Sequence, residues 1–188
     1  VSTGPAPEKY AKQLYEIANT DTVQRANHIN PAFDSTVSED AKHMIQSWIA
    51  GSGVYQMQAA AVKYFAKGYA AMGVSKKTPD ANVKAFKEIY ESNASKKLRE
   101  SLRKIADKDG YVYLYRGWSR STIKGVAPLE SMTSDFTKAR EFAGKAGADG
   151  RVNLYRVDVD DVVAAIKDIG GKSENNAEII VAASARVP

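Results

Sequence analysis

The chain contains no cysteine. That excludes disulfides, thiol nucleophiles and zinc–thiolate sites, and leaves the redox compartment open. Histidine is nearly as scarce. His28 and His43 are the only two, far apart and without ligand spacing, so no metal is expected. No apolar run approaches the roughly eighteen residues that a membrane helix needs, and no signal peptide is visible. The chain opens on Val1 rather than methionine, which carries the expectation of processing or excision, with an upstream segment removed. There is no low-complexity tract and no internal repeat.

What is there is the composition of an ordinary soluble protein: 188 residues, 44% hydrophobic and 26% charged, enough for one domain or one and a half. The formal net charge is +5. This permits an anionic partner such as RNA, DNA, a nucleotide or an acidic protein, without demanding one. The lysines are scattered, with short pairs only at Lys76-Lys77 and Lys96-Lys97, which is the pattern of a solvated surface.

Residues 1–7 read as a flexible lead-in, 8–18 as a helix and 19–37 as a loop. Ser38 offers an N-cap, with Glu39 and Asp40 suited to the positive end of a helix carrying Met44, Ile45, Trp48 and Ile49. Gly51-Ser-Gly53 stops it. A second helix carries Tyr55, Val62, Phe65 and Tyr69 and ends near Gly73, a third carries Val83, Phe86 and Ile89, and a fourth carries Leu98, Leu102 and Ile105. These stripes are most simply core. After Asp109-Gly110 the period changes to two. Strands are predicted at 111–116, 129–134, 151–159 and 178–187, and short helices at 135–143 and about 160–167. Helices followed by a mostly antiparallel sheet make an α+β fold. The expected organisation is a lead-in with one helix over 1–37 and a single domain over 38–188, helical to 109 and mainly strands from 110.

The most strand-like run is Tyr111-Val-Tyr-Leu-Tyr-Arg-Gly-Trp118. Both its faces are largely apolar, which predicts a central, doubly covered strand. Arg116 at its end needs an anionic partner, either a carboxylate at the edge of the core or a ligand. Two further polar positions stand out. In Ser131-Met-Thr-Ser134, alternation puts Ser131 and Thr133 on one face, and Ser134 or Asp135 caps the helix that follows. In Glu174-Asn-Asn-Ala-Glu178, the last glutamate sits where a polar loop enters a buried strand, a place where a carboxylate is held rigid and partly desolvated. Gly117, Gly125, Gly144, Gly147 and Gly150 do not form a phosphate-binding fingerprint.

Taken in order, Tyr113-Leu-Tyr-Arg-Gly117, Glu130-Ser-Met-Thr-Ser-Asp135 and Asn176-Ala-Glu178 resemble the arginine–serine–glutamate class of mono-ADP-ribosyltransferases, of the bacterial-toxin and phage-encoded type. The resemblance covers about residues 40–188. It implies a helical half packed on a two-sheet core with a cleft for NAD, which is substrate rather than resident cofactor. It implies that Arg116, with Gly117 beside it, grips the NAD phosphates through its planar fork. Ser131, Thr133 and Ser134 fall in the serine motif that supports the cleft and hydrogen-bonds the glutamate. Register decides among the three, with Thr133 and Ser134 ahead of Ser131. Glu178 matches the catalytic glutamate, a fixed carboxylate that stabilises positive charge as nicotinamide departs. Lys145 and Arg151, in a glycine-rich basic loop, match phosphate and nicotinamide contacts. Phe136 or Phe142 is available to stack on nicotinamide, Phe142 fitting better as helix-to-sheet core.

One position departs from the class pattern. Enzymes that modify arginine carry Glu-x-Glu and others Gln-x-Glu, whereas Asn176 stands two before Glu178. An asparagine orients an acceptor through its amide but is no base. Glu174 substitutes if the loop is one turn longer. The resemblance implies transfer of ADP-ribose to a host protein in the host cytoplasm, the enzyme being secreted or carried in a virion, with no membrane involved. A nucleic-acid acceptor, an NAD glycohydrolase, a non-catalytic virion or interaction protein and a basic nucleic-acid-binding domain are the other readings.

Overall fold

A computed structural model describes residues 37–50, 54–65, 78–118, 128–144, 150–169 and 178–182. The predicted lead-in and first helix, Gly51–Gly53, the region near Gly73, Lys145, Glu174 and Asn176 lie outside the described residues, as do residues 183–187 of the last predicted strand.

Four helices come first: α1 (Glu39–Ala50), α2 (Val54–Phe65), α3 (Asp80–Tyr90) and α4 (Asn93–Arg103). Ser38 Oγ accepts from Ala41 N at 3.3 Å and Ser92 Oγ from Ser95 N at 3.3 Å, so α1 and α4 begin on hydroxyl caps. The switch to strands is made by a tight turn. Asp107 Oδ1 accepts from the N–H groups of Asp109 (2.9 Å) and Tyr111 (3.0 Å), while Gly110 takes a φ of +83° that only glycine adopts without strain.

The strands are β1 (Tyr111–Trp118), β2 (Glu130–Thr133), β3 (Arg151–Asp158), β4 (Val162–Ala165) and β5 (Glu178–Val181). Helix α5 (Phe136–Gly144) follows β2, and a four-residue helix, α6 (Ile166–Ile169), follows β4. The strands form one antiparallel sheet in the order β3-β1-β2-β5-β4. The α+β architecture follows the sequence pattern. The described strands all belong to this sheet, and the second sheet implied by the resemblance is not among them.

The helix expected over 160–167 is replaced by a 3-10 turn (Val159–Asp161) and β4. Every residue of β4 is buried, so its apolar run carries no periodicity to separate strand from helix. Pairing with β5 decides it. Strand β1 is central and has helices on both faces, α4 on one and α5 at the Tyr115–Gly117 end of the other, but the two faces are not equally buried. Val112 and Leu114 are buried, but Tyr111, Tyr113 and Tyr115 are half-buried, with the Arg156 guanidinium lying 3.8 Å over the Tyr111 ring.

Each face of the sheet has its own core. On one, α1, α2 and α3 pack Ile45, Met57, Phe86 and Ile89 against Leu129, Val163, Ala164 and Ile180. On the other, Leu98 and Leu102 of α4 pack against Val112, Leu114, Met132, Ile179 and Val181. Arg99 locks α4 in place: its guanidinium donates to the carbonyls of Tyr90 (2.6 Å) and Val162 (2.9 Å) and lies 3.9 Å over the Tyr90 ring. Helix α5 lies against β1 and β3, on the same face as α1–α3. Phe136 meets Tyr115 edge-on at 5.4 Å there. On this face α5 lies against β1, β3 and β2, while the core under α1–α3 lies over β4 and β5; the boundary between the two groups of helices is a seam.

Candidate active site

Residues paired across an antiparallel ladder project to the same face. Leu154, Tyr115, Thr133 and Glu178 are successive partners on β3, β1, β2 and β5, so they form one row across the sheet. Ser131, two residues along β2, shares that face. Alternation thus gathers the serine motif and the glutamate without any loop being needed to aim them.

Glu178 is the first residue of β5 and half-buried. Its Oε1 accepts two hydrogen bonds, one from the Ser131 hydroxyl and one from Trp48 Nε1 at 3.2 Å. Its Oε2 accepts none among the described residues. Burial pushes the carboxyl above the ordinary glutamate value, and the Ser131 and Trp48 bonds and the Arg116 charge pull it back only in part. The outcome is a desolvated carboxylate with one oxygen anchored and the other available.

Arg116 lies between β1 and β2. Its NH1 donates to the Ser131 carbonyl at 2.6 Å, and its NH2 pairs with Glu130 Oε2 at 2.7 Å. The core-edge carboxylate that the sequence left open as partner is therefore Glu130. This guanidinium fixes the backbone of Ser131, the residue whose hydroxyl holds Glu178. Arginine, serine and glutamate are joined in one continuous path.

The comparisons with known proteins can be set beside this geometry. No family model and no curated protein matches the chain. A solved structure, the crystal structure of the ADP-ribosyltransferase Vis in complex with the M6 inhibitor, is similar at 15% identity and a TM-score of 0.34, over 95% of this chain and 76% of that one. A likeness this distant adds nothing to what the residues' own geometry supports.

Within the serine motif the roles fall differently from the predicted ranking. Thr133 stands directly opposite Glu178, but its Oγ1 accepts from Asp135 N at 3.0 Å, a local turn bond. The helix cap is Asp135, whose Oδ1 accepts from Thr137 N at 2.8 Å. Ser134 is therefore no cap. Its Oγ is buried and has no hydrogen-bond partner among the described residues. Ser131 is the one that reaches Glu178.

Gly117 is the contact point of α5. A Cβ there would lie 2.2 Å from the Ala139 carbonyl oxygen, and one at Gly150 would lie 1.8 Å from that of Ala143. Approach this close leaves only Ala139 and Ala143 room to face the sheet. Phe142, expected as helix-to-sheet core, is instead 54% exposed, and Phe136 is 49% exposed. Phe136 and Arg151 help line a cavity of about 450 Å³ between α5 and β3, with Arg140 and Gly150. Strands β1 and β2 lie between that cavity and Glu178.

Two residues of the site were not singled out from sequence. Glu130 stands inside the quoted motif, and its charge next to a buried strand was the available signal. Trp48 sits in a helical stripe with Met44 and Ile45, and nothing in that pattern points to β5. Among the described residues no cluster of side chains could hold a metal ion, and no helix is long and apolar enough to cross a membrane.

Proposed function

We propose that the chain is an NAD-dependent mono-ADP-ribosyltransferase that cleaves the nicotinamide–ribose bond and transfers ADP-ribose to a host macromolecule, in the first instance a protein. The observation that supports this reading is the path from Arg116 through Ser131 to Glu178, three strands bringing together the three residue types that the motifs pair with this chemistry. The setting that goes with it is the cytoplasm of a host cell, reached from a virion or by secretion.

In this reading NAD lies over the seam. The C1′–N bond breaks, its electron pair leaves with neutral nicotinamide, and positive charge develops on the ribose. Glu178 Oε2 accepts a ribose hydroxyl, and the carboxylate, already held at Oε1, stabilises that charge without reorganising. An acceptor nucleophile then bonds to C1′ and loses its proton. Ser131 keeps the carboxylate in place, and Arg116 keeps Ser131 in place. Arg116 also attracts the NAD phosphates, in competition with Glu130. Lys145, Arg151 and Phe136 are proposed contacts for the rest of NAD, with Asn176 or Glu174 orienting the acceptor.

The test is nicotinamide release from labelled NAD by wild type and Glu178→Gln, with a host-cell lysate present. Release lost in the variant, together with a labelled macromolecule, is the expected result. Absence of release from wild type overturns the reading. Asn176, which cannot act as a base toward an acceptor, favours NAD hydrolysis as the second reading. Release without any labelled macromolecule would identify it.

A further inference from the structure

Among the described residues, the helical half is joined to the sheet at the site itself by the bond from Trp48 Nε1 to Glu178 Oε1 at 3.2 Å. Trp48 is a core residue by exposure, at 8%, and lies on α1 beside Met44 and Ile45. An indole N–H is a donor only. Buried here, its partner is a carboxylate oxygen 130 positions along the chain. We infer that Trp48 is a positioning residue for Glu178: with Ser131 it clamps Oε1, so that Oε2 is the oxygen presented to substrate.

Three observations carry this inference, which rests on the proposed function only for its catalytic part. Both donors converge on one oxygen, and the other oxygen has no hydrogen bond among the described residues. The donors come from different elements, β2 and α1, so the carboxylate is fixed against rotation rather than held by a single hinge. Among the described residues the polar groups near it are Ser131 and its ladder partner Thr133 on β2 and Trp48 on α1, with the Arg116 charge acting from β1; β4 beyond β5 is apolar. A buried carboxylate depends on its hydrogen-bond donors to remain ionised. A tryptophan also suits the place better than a lysine or arginine would. It donates one bond in a fixed direction and adds no charge that would neutralise the carboxylate.

The experiment replaces Trp48 by phenylalanine, and separately by the benzothiophene isostere, which keeps the bicyclic shape and has sulfur in place of N–H. The isostere separates the loss of the bond from the loss of packing. Nicotinamide release is followed against pH and NAD concentration. Losing a donor to the charged form raises the Glu178 pKa further, so the acid limb of kcat/KM is expected to move to higher pH. A fall in kcat of about tenfold or more, with KM for NAD little changed, is expected from the loss of a bond to a charged group. An unmoved acid limb with unchanged kcat in the isostere protein overturns the inference.

A second readout does not depend on activity. The indole N–H resonance of Trp48, assigned by its absence from Trp48→Phe, should shift as Glu178 is protonated and lose that titration in Glu178→Gln. If wild type releases no nicotinamide, the proposed function fails and this titration still decides the positioning role. An indole resonance indifferent to Glu178→Gln removes it.

Discussion

Arg116 and Glu130 form an ion pair at 2.7 Å with both side chains largely out of solvent, and the same guanidinium holds the carbonyl of the intervening Ser131. The pair therefore does two things: it closes the edge between β1 and β2, and it sets the serine that holds Glu178. Arg116→Ala removes the guanidinium from a buried carboxylate, at a cost of about 3–5 kcal/mol. Urea denaturation is expected to show a loss of this size, largely recovered when Glu130→Gln is added. A double-mutant cycle with no coupling would remove the pair from the fold's support. Singly, Glu130→Gln keeps an acceptor but removes the charge that competes with phosphate, so KM for NAD is expected to fall. A raised KM would mean that Glu130 instead holds Arg116 ready for substrate.

Glu178→Gln should separate function from stability. Nicotinamide release is expected to drop on the order of a hundredfold or more. The folded-state pKa of Glu178 lies above its ordinary value of 4.5 because of burial, so the folded chain binds this proton more tightly than the unfolded one. Its contribution to stability is then full below about pH 4.5 and is lost as pH rises through the folded pKa. Removing the titration makes Glu178→Gln at least as stable as wild type at pH 7–8, with the advantage narrowing in acid. Parallel thermal melts across that range check it. A variant less stable only at high pH would reverse the assigned sign.

Asp107 should behave in the opposite sense. Partial burial pushes its carboxyl up, but the N–H groups of Tyr111 and Asp109 and the Arg156 guanidinium together hold it below the ordinary aspartate value. Its contribution is present above the unfolded-state pKa and is lost as pH falls through the depressed folded pKa. Asp107→Asn is expected to lower the melting temperature at pH 7 and to converge on wild type in strong acid. A gap independent of pH would assign the effect to lost turn geometry rather than to charge.

Gly117→Ala forces a methyl group to within 2.2 Å of the Ala139 carbonyl oxygen and 2.8 Å of the Ala143 amide nitrogen. Backbone atoms cannot rotate away, so α5 must shift. The expected cost is about 1–3 kcal/mol, read as a lower denaturant midpoint with unchanged helix content. Gly144→Ala is the control, since a Cβ there meets nothing within 4 Å. Equal behaviour of the two variants would mean that α5 is free to move.

Much of the fold was legible because its signals are local. A hydroxyl cap at Ser38, a glycine after Asp109 and period-two alternation along β1 each act within a few residues. β4 was missed because Val162-Val-Ala-Ala165 has no alternation to read, and its identity depends on β5 arriving beside it. Arg116, Ser131 and Glu178 were visible as polar residues at the ends or edges of apolar strands. Their order of importance was not visible. Thr133 occupies the register position opposite Glu178, yet a turn bond takes its hydroxyl, and only the three-dimensional path shows that Ser131 reaches further. Trp48 was illegible for a plainer reason: one side chain can fill a core and donate a bond, and a helical stripe records only the first.

Strand β5, late in the sequence, does not add to an edge of the sheet. It inserts between β2 and β4. Until residues 178–181 have been synthesised and have entered that slot, β2 and β4 each present an unpaired edge, and the carboxylate is absent from the seam. A growing polypeptide on the ribosome thus carries the arginine and the serine well before the glutamate and the strand that joins β2 to β4. The non-local pairing makes closure a late step in folding. Any chain cut short before residue 178 would lack both the carboxylate and the strand that bridges β2 and β4.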